Sequence, residues 1–345
     1  MDGIYTTLYI VLAFLLTACS NNEKSSSSYG EDFSSLPHFP LKVSNRIDLE
    51  EFDILNPQFV VRKDSLYLVG NNENNNIFNL IDPVKGTTLR GINRGGGPDE
   101  VMYISGIEND NGSIVAYDAI KQMLYTVSRS GDFIFINNKV SMSKERERVI
   151  FASFQNNAFA VSGYLSDCWA RYTSSDGHKF NIPYPEIESI IELTDHEKSA
   201  LLMNTNVAMS PDAKHMALST TNGCVLAIYD CSSNGVKKVS FKVYDEPLFV
   251  VSQQSVAATT DSPVGFGDIF AGDKNLYCLY EKGTMGDLLK GHQSNTCLLV
   301  FNWKGELLKN YYLEKPLNTF GVDEERGILY GIGNDPEGCI FEYKL

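Results

Sequence analysis

Positive charge is scarce in this chain. Its 345 residues hold 29 Lys plus Arg against 43 Asp plus Glu, a formal net charge of −14. That balance argues against nucleic acid as a partner, because phosphates need a basic face. Catalytic signatures are missing as well. There is no G-x-S-x-G, so a hydrolase domain built on a nucleophile elbow is absent. His196-Glu197 continues as Lys198-Ser199-Ala200 and does not complete H-E-x-x-H. The five histidines, His38, His178, His196, His215 and His292, stand far apart. No C-x-x-C occurs and no G-x-x-x-x-G-K-[ST], so the sequence signals neither a zinc or redox pair nor a phosphate loop, and it points to no cofactor. The apolar run Ile4 to Ala18 falls short of the roughly 20 residues a membrane span needs. What is plentiful favours β structure: 18 Tyr and 19 Phe, which suit half-buried pleated surfaces, and 27 Gly and 12 Pro, many in turn-like clusters.

The length of that apolar run suits the core of a secretory signal, although Met1-Asp2-Gly3 brings no basic residue. It ends in Leu16-Thr17-Ala18-Cys19, which resembles the lipobox of bacterial lipoproteins. The resemblance implies cleavage before Cys19, acylation of its thiol and of the new amino terminus, and a membrane anchor of several chains on one residue. Residues 1–19 are read as signal peptide and lipobox, and residues 20–40, with Ser25 to Ser28, as a flexible tether. Six cysteines remain: Cys168, Cys224, Cys231, Cys278, Cys297 and Cys339. Export permits disulfides, with Cys224/Cys231 and Cys278/Cys297 as neighbours in sequence, and free thiols are the other reading.

Residues 41–345 carry a weak repeat. Second-strand anchors centred on residues 67, 115, 159, 217, 277 and 329 lie 44 to 60 residues apart. Each is followed by a third apolar strand: 77–81, 123–127, 169–172, 225–229, 297–302 and 338–343. Five of these end in tight turns at Gly86, Gly131, Gly177, Gly235 and Gly305, where glycine supplies positive φ. Six such units predict an all-β fold, a six-bladed β-propeller whose sheets cover one another's faces. The chain stops just after the third strand of the last unit, so Val43 to Leu49 is expected to complete that blade and close the ring. Two smaller β-sandwiches are the rival architecture. The stretch 185–204 breaks the alternation. Its Ile187, Ile190, Ile191 and Leu193 fit a helical stripe, and Thr194 with Glu197 forms a capping-box pattern, so a short helical insertion is predicted between units three and four. Gln253 to Phe266 reads as a long polar loop over the channel mouth.

Ser210-Pro211-Asp212-Ala213-Lys214 resembles the S-P-D-G-K hairpin of TolB-like propellers, with Ala213 in place of glycine. The final quarter, through Leu276-Tyr277-Cys278-Leu279-Tyr280, Leu298 to Gly305, Val322-Asp323-Glu324 and Ile328-Leu329-Tyr330, is similar to TolB-like lipoproteins of Bacteroidota. Arg94-Gly95-Gly96-Gly97-Pro98-Asp99-Glu100 resembles the G-x-G-P-G-E turn of related six-bladed lipoproteins. The resemblance implies a lipid-anchored propeller in the cell envelope and brings no activity with it.

The loop from Arg94 to Glu100 is the densest polar constellation. Arg94, Asp99 and Glu100 are the candidate ligand-binding residues, set either to grip an anionic or hydroxylated ligand or to form a tight inter-blade turn with an internal Arg–carboxylate pair. Glu108 to Gly112 looks faintly like a calcium loop, but position twelve is Ala119, so a hairpin turn is expected. Trp169 and Trp303 are expected in the core. The function expected is a noncatalytic binding module for a protein or small molecule, held to a membrane by lipid. The alternative is a metal-dependent hydrolase or lactonase using channel carboxylates, for which Asp53, Glu108 and Asp268 are the only candidates, each more simply solvated.

Overall fold

The computed structural model describes residue 33 and residues 36–345, except 74, 111, 132, 143–146, 253–254, 292–295 and 335–336. The expected signal peptide, residues 1–19, and its Cys19 lie outside the described residues. The chain opens with β1 (Phe39–Leu41) and β2 (Val43–Asp48). Blade one is β3 (Phe59–Lys63), β4 (Leu66–Gly70), β5 (Asn76–Asp82) and β6 (Thr87–Asn93). Blade two is β7 (Ile104–Asp110), β8 (Ser113–Asp118), β9 (Met123–Ser130) and β10 (Phe133–Ser141). Blade three is β11 (Arg148–Gln155), β12 (Ala158–Tyr164), β13 (Ala170–Thr173) and β14 (Lys179–Ile182). After α1 (Asp195–Leu201), blade four is β15 (Thr205–Met209), β16 (His215–Thr220), β17 (Cys224–Ser232) and β18 (Gly235–Asp245). A hairpin of β19 (Phe249–Ser252) and β20 (Ser255–Ala258) precedes blade five. That blade is β21 (Phe266–Ala271), β22 (Asn275–Glu281), β23 (Thr296–Asn302) and β24 (Leu307–Leu313), with α2 (Met285–Leu289) between its second and third strands. Blade six is β25 (Thr319–Asp323), β26 (Ile328–Asn334) and β27 (Glu337–Lys344).

All six repeat anchors fall on second strands, and the predicted third strands match β5, β9, β13, β17, β23 and β27. Neighbouring blades dry these middle strands on both faces. In β17, six residues in a row from Cys224 to Tyr229 are buried, whereas Lys237 and Lys238 on outer β18 are exposed. Successive blades share apolar seams such as Tyr172, Met216 and Val225 between blades three and four. The chain makes one ring, not two sandwiches.

Closure follows the expected route. β2 pairs antiparallel with β27, setting Ile47 opposite Ile340. The preceding strand adds a second clasp, since β1 pairs parallel with β24 on the outer edge of blade five. Packing begins earlier still, inside the stretch read as tether. Phe33 is 2% exposed, its ring 4.4 Å from that of Tyr244 and 5.0 Å from that of Tyr280. Asn310 Nδ2 donates to the Phe33 carbonyl at 2.9 Å. The docked amino-terminal segment therefore includes Phe33 and β1 within residues 20–40.

Three local expectations are corrected. The stripe at 186–193 is not a helix: only Glu188–Ile190 makes a 3-10 turn, and Ile191 is exposed. Pro183 and Pro185 bias the residues before them to extended backbone, and Ile187 itself is extended. The helix starts where Thr194 and Glu197 form the predicted capping box. Gln253 to Phe266 is not all loop, because β20 pairs with β19. Of the five turn glycines, Gly235 alone lacks positive φ.

Candidate functional site

Alternating strand direction sends the connections between blades, and those between second and third strands, to one face of the ring. The loop 94–103, α1, the β19–β20 hairpin and α2 all lie on that face by this topology.

The loop from Arg94 is tight because two of its glycines face a carboxylate. Glu100 Oε2 accepts from Gly97 N–H at 2.7 Å. A Cβ at Gly95 would stand 2.2 Å from that oxygen and one at Gly97 2.8 Å, so no larger residue leaves Glu100 its place. Lys121, from the turn between β8 and β9, donates to the carbonyls of Gly97 and Glu100, each at 2.7 Å. Asp99 pairs with Lys139 Nζ at 2.7 Å. The expected internal Arg–carboxylate pair does not form. Both carboxylates have other partners, while Arg94 is exposed and its guanidinium has no partner among the described residues. The structure thus brings Arg94, Asp99 and Glu100 onto one rim loop but separates their roles.

Glu108 and Asp268 are expected to be solvated, whereas the structure half-buries both and engages their carboxylates in hydrogen bonds. Both sit on innermost strands, β7 and β21. Adjacent inner strands share no ladder, so their buried backbone groups need side-chain partners. Glu108 reaches into blade three, where its Oε2 accepts from Phe154 N–H at 2.9 Å and Ser153 Oγ–H at 3.1 Å. Ser153 Oγ in turn accepts from Met209 N–H of blade four at 3.0 Å. Asp268 Oδ2 accepts from Phe320 N–H of blade six at 3.3 Å. Burial pushes each carboxyl up to about 7. The remaining seams are bridged in the same manner. Asn72 exchanges two hydrogen bonds with Ile104, Asn206 donates to the Phe266 carbonyl, and Arg62 N–H donates to Tyr330 Oη. These side chains fasten the ring. A crevice beside Glu108, lined by Gly106, Tyr117 and Phe154, has room for about one water.

Asp53, the third carboxylate considered, is exposed and pairs with Arg90 at 3.1 Å. Among the described residues, no group of three or more His, Cys, Asp or Glu side chains gathers in metal-binding proximity. Glu108 to Gly112 forms the expected turn, with Gly112 N–H donating to Asn109 Oδ1 at 2.8 Å; Asn111 lies outside the described residues. Trp169 and Trp303 are buried as predicted; Trp169 Nε1 donates to Thr205 Oγ1, and Trp303 stacks on His215. All six cysteines after Cys19 are free. Cys224 and Cys231 share one strand, and Cys278 is offset from Cys297 by two positions in the ladder. Neither geometry brings Cα atoms within disulfide reach.

Six radial sheets, a clasped seam and side-chain bridges around the channel define a six-bladed β-propeller. The profile of the TolB-like 6-blade propeller-like family matches residues 57–325, and the chain belongs to that family. Solved structures show the same fold at low identity. A Bacteroides fragilis protein named as exported is 10% identical with a TM-score of 0.50, aligning over 84% of this chain and 90% of its own. Raptor of Chaetomium thermophilum is 10% identical with a TM-score of 0.50, over 88% of this chain and 28% of its own. No curated protein sequence matches the chain.

Proposed function

We propose that this propeller is a noncatalytic binding module, anchored in the bacterial cell envelope by lipid on Cys19, that holds a protein or small ligand at the rim loop 94–100. The observation that carries the binding reading is the charge left over in that loop. Glu100 is taken by Gly97 and Asp99 by Lys139, which leaves the exposed Arg94 guanidinium without a partner among the described residues and able to meet an anionic or hydroxylated group. Lys121 and the packed glycines hold the loop in place, so little ordering cost falls on binding. The lipid anchor is supported by Leu16-Thr17-Ala18-Cys19 and by the polar stretch that follows it.

The test uses a photo-crosslinking amino acid at Gly96, where an added side chain meets nothing within 4 Å. In cells it is expected to give discrete adducts that disappear with Arg94→Ala, while the same probe at Val84, in the turn between β5 and β6, gives none. Equal adducts at both positions, or adducts indifferent to Arg94, defeat the binding reading.

A further inference from the structure

The face with the inter-blade loops carries an apolar outcrop. On the β19–β20 hairpin and the residue before it, Leu248, Val250 and Val251 are 48%, 58% and 51% exposed. On α2, Leu288 and Leu289 are 40% and 64% exposed. Water covers these side chains at a cost, and a cluster of this kind marks an interaction surface. The two elements form one unit. Val264 N–H donates to the Gly283 carbonyl at 3.0 Å, Met285 N–H to Ser262 at 2.8 Å and Gly286 N–H to Thr260 at 2.7 Å. Thr259 N–H closes the hairpin base on Leu248 at 2.9 Å.

The location of this unit indicates what covers it. Its two roots leave the core at Tyr244, four residues before Leu248, and at Tyr280, five before Met285. Those two tyrosines are the ones whose rings hold Phe33. The described amino-terminal chain therefore ends at the base of the outcrop. From Phe33 back to Cys19 is fourteen residues, a length that reaches at most roughly 50 Å. A bilayer gripped at Cys19 is thus tethered through the blade four and five seam, within reach of the outcrop.

We infer that the β19–β20 hairpin and α2 dock into the lipid surface, seating Val250, Val251, Leu288 and Leu289 in the headgroup–acyl boundary and fixing which way the propeller faces. The inference rests on the lipid-anchor reading. The occupant is a bilayer and not an acidic headgroup patch, because a chain of net charge −14 gains nothing from anionic lipid. Lys290, exposed just after Leu289, can keep its ammonium at the interface while its stem lies along the apolar side. One apolar outcrop binds weakly alone, and coupled to an acyl anchor it acts at high effective concentration.

The experiment uses the full-length acylated protein reconstituted into phosphatidylcholine vesicles, with and without brominated acyl chains. Tryptophan is placed by Val251→Trp, Leu289→Trp and, as a control on the other face, Val84→Trp. The native Trp169 and Trp303 are buried and supply a constant background. The emission added at 251 and 289 is expected to fall at least about twofold in brominated vesicles, with that at 84 unchanged. Protein that floats with the vesicles while all three positions stay equally bright overturns the docking and leaves the anchor standing. Protein that fails to float overturns the anchor and the docking with it. Emission at 251 that shifts with protein concentration in detergent, and is not quenched by brominated lipid, assigns the patch to a second copy and also overturns the proposal.

Discussion

Arg171 and Glu147 form a two-pronged ion pair inside blade three, with both nitrogen–oxygen distances 2.8 Å and both side chains 6% exposed. Arg171 also donates from Nε to Asn181 Oδ1 at 3.1 Å. Hydrogen bonding to Glu147 holds the guanidinium in its charged form. Removing Glu147 leaves the buried Arg171 only a longer ion-pair contact of 3.4 Å to the exposed Asp167, so Glu147→Ala is expected to cost about 3 kcal/mol, the low end of the range for breaking a buried pair. Replacing both with apolar residues of similar volume, Arg171→Met with Glu147→Leu, is expected to recover most of that loss. Urea midpoints of the two variants and the parent decide the matter, and equal losses in single and double variants would contradict the account.

Ala213 occupies a position with φ of 59°, in the hairpin that joins β15 and β16. A side chain there costs roughly 1 kcal/mol that glycine avoids. Its methyl is buried and returns part of that. Ala213→Gly is therefore expected to stabilise the protein by about 0.5 kcal/mol, read as a higher thermal midpoint. Ala213→Val is expected to be strongly destabilised, since a β-branched residue fits that backbone worst.

Glu108 and Asp268 set a pH dependence. Their usual values of 4.5 and 3.8 are raised to about 7 by burial. Below the usual values both folded and unfolded chains hold these protons. Between there and about 7 the unfolded chain has lost them while the fold retains them, so stability falls as pH rises across this window and levels off above it. Carboxyls held low by hydrogen bonds, such as Asp176 and Glu197, act only at more acid pH. The urea midpoint is expected to be higher at pH 5.5 than at pH 8. Glu108→Gln, which keeps an oxygen for Phe154 N–H, is expected to reduce that difference without lowering the pH 8 midpoint.

Phe33 fills the gap between blades four and five. Phe33→Ala is expected to cost about 3–5 kcal/mol, the usual range for emptying a buried aromatic site. Protease sensitivity around residues 33–48 is expected to rise with it, because the amino-terminal segment then loses its first fixed point. An unchanged cleavage pattern would show that β1 and β2 hold the segment unaided.

The blades were legible because their signals are local. Anchors such as Tyr67-Leu68-Val69 and turns at Gly86 or Gly305 speak within a few residues, and a doubly covered strand shows as a continuous apolar run. Even the closing strand could be found, since a three-stranded last unit leaves an edge that Val43 to Leu49 can fill. Phe33 was missed because it is one aromatic in a polar stretch, and its partners Tyr244 and Tyr280 lie in distant blades. The β19–β20 hairpin was hidden by its short strands and polar flanks. The carboxylates of Glu108 and Asp268 are visible in the sequence, but their half-burial and hydrogen bonds are not. Their partners are backbone groups of the following blade, and nothing in the spacing of a single strand announces them. At the rim, the glycines around Glu100 were visible, while the division of labour among Arg94, Asp99 and Lys139 needed three dimensions.

The seam also has a meaning in time. Ser44 and Glu342, which touch across it, are 298 positions apart in the chain. β1 and β2 are synthesised long before β27, the partner of β2, so β2 keeps a bare edge until that last strand arrives. A product truncated by even one strand at its carboxyl end would expose β2 to proteases and to other chains. The architecture thus makes the pairing of β2 with β27 a late step on which the closed ring depends.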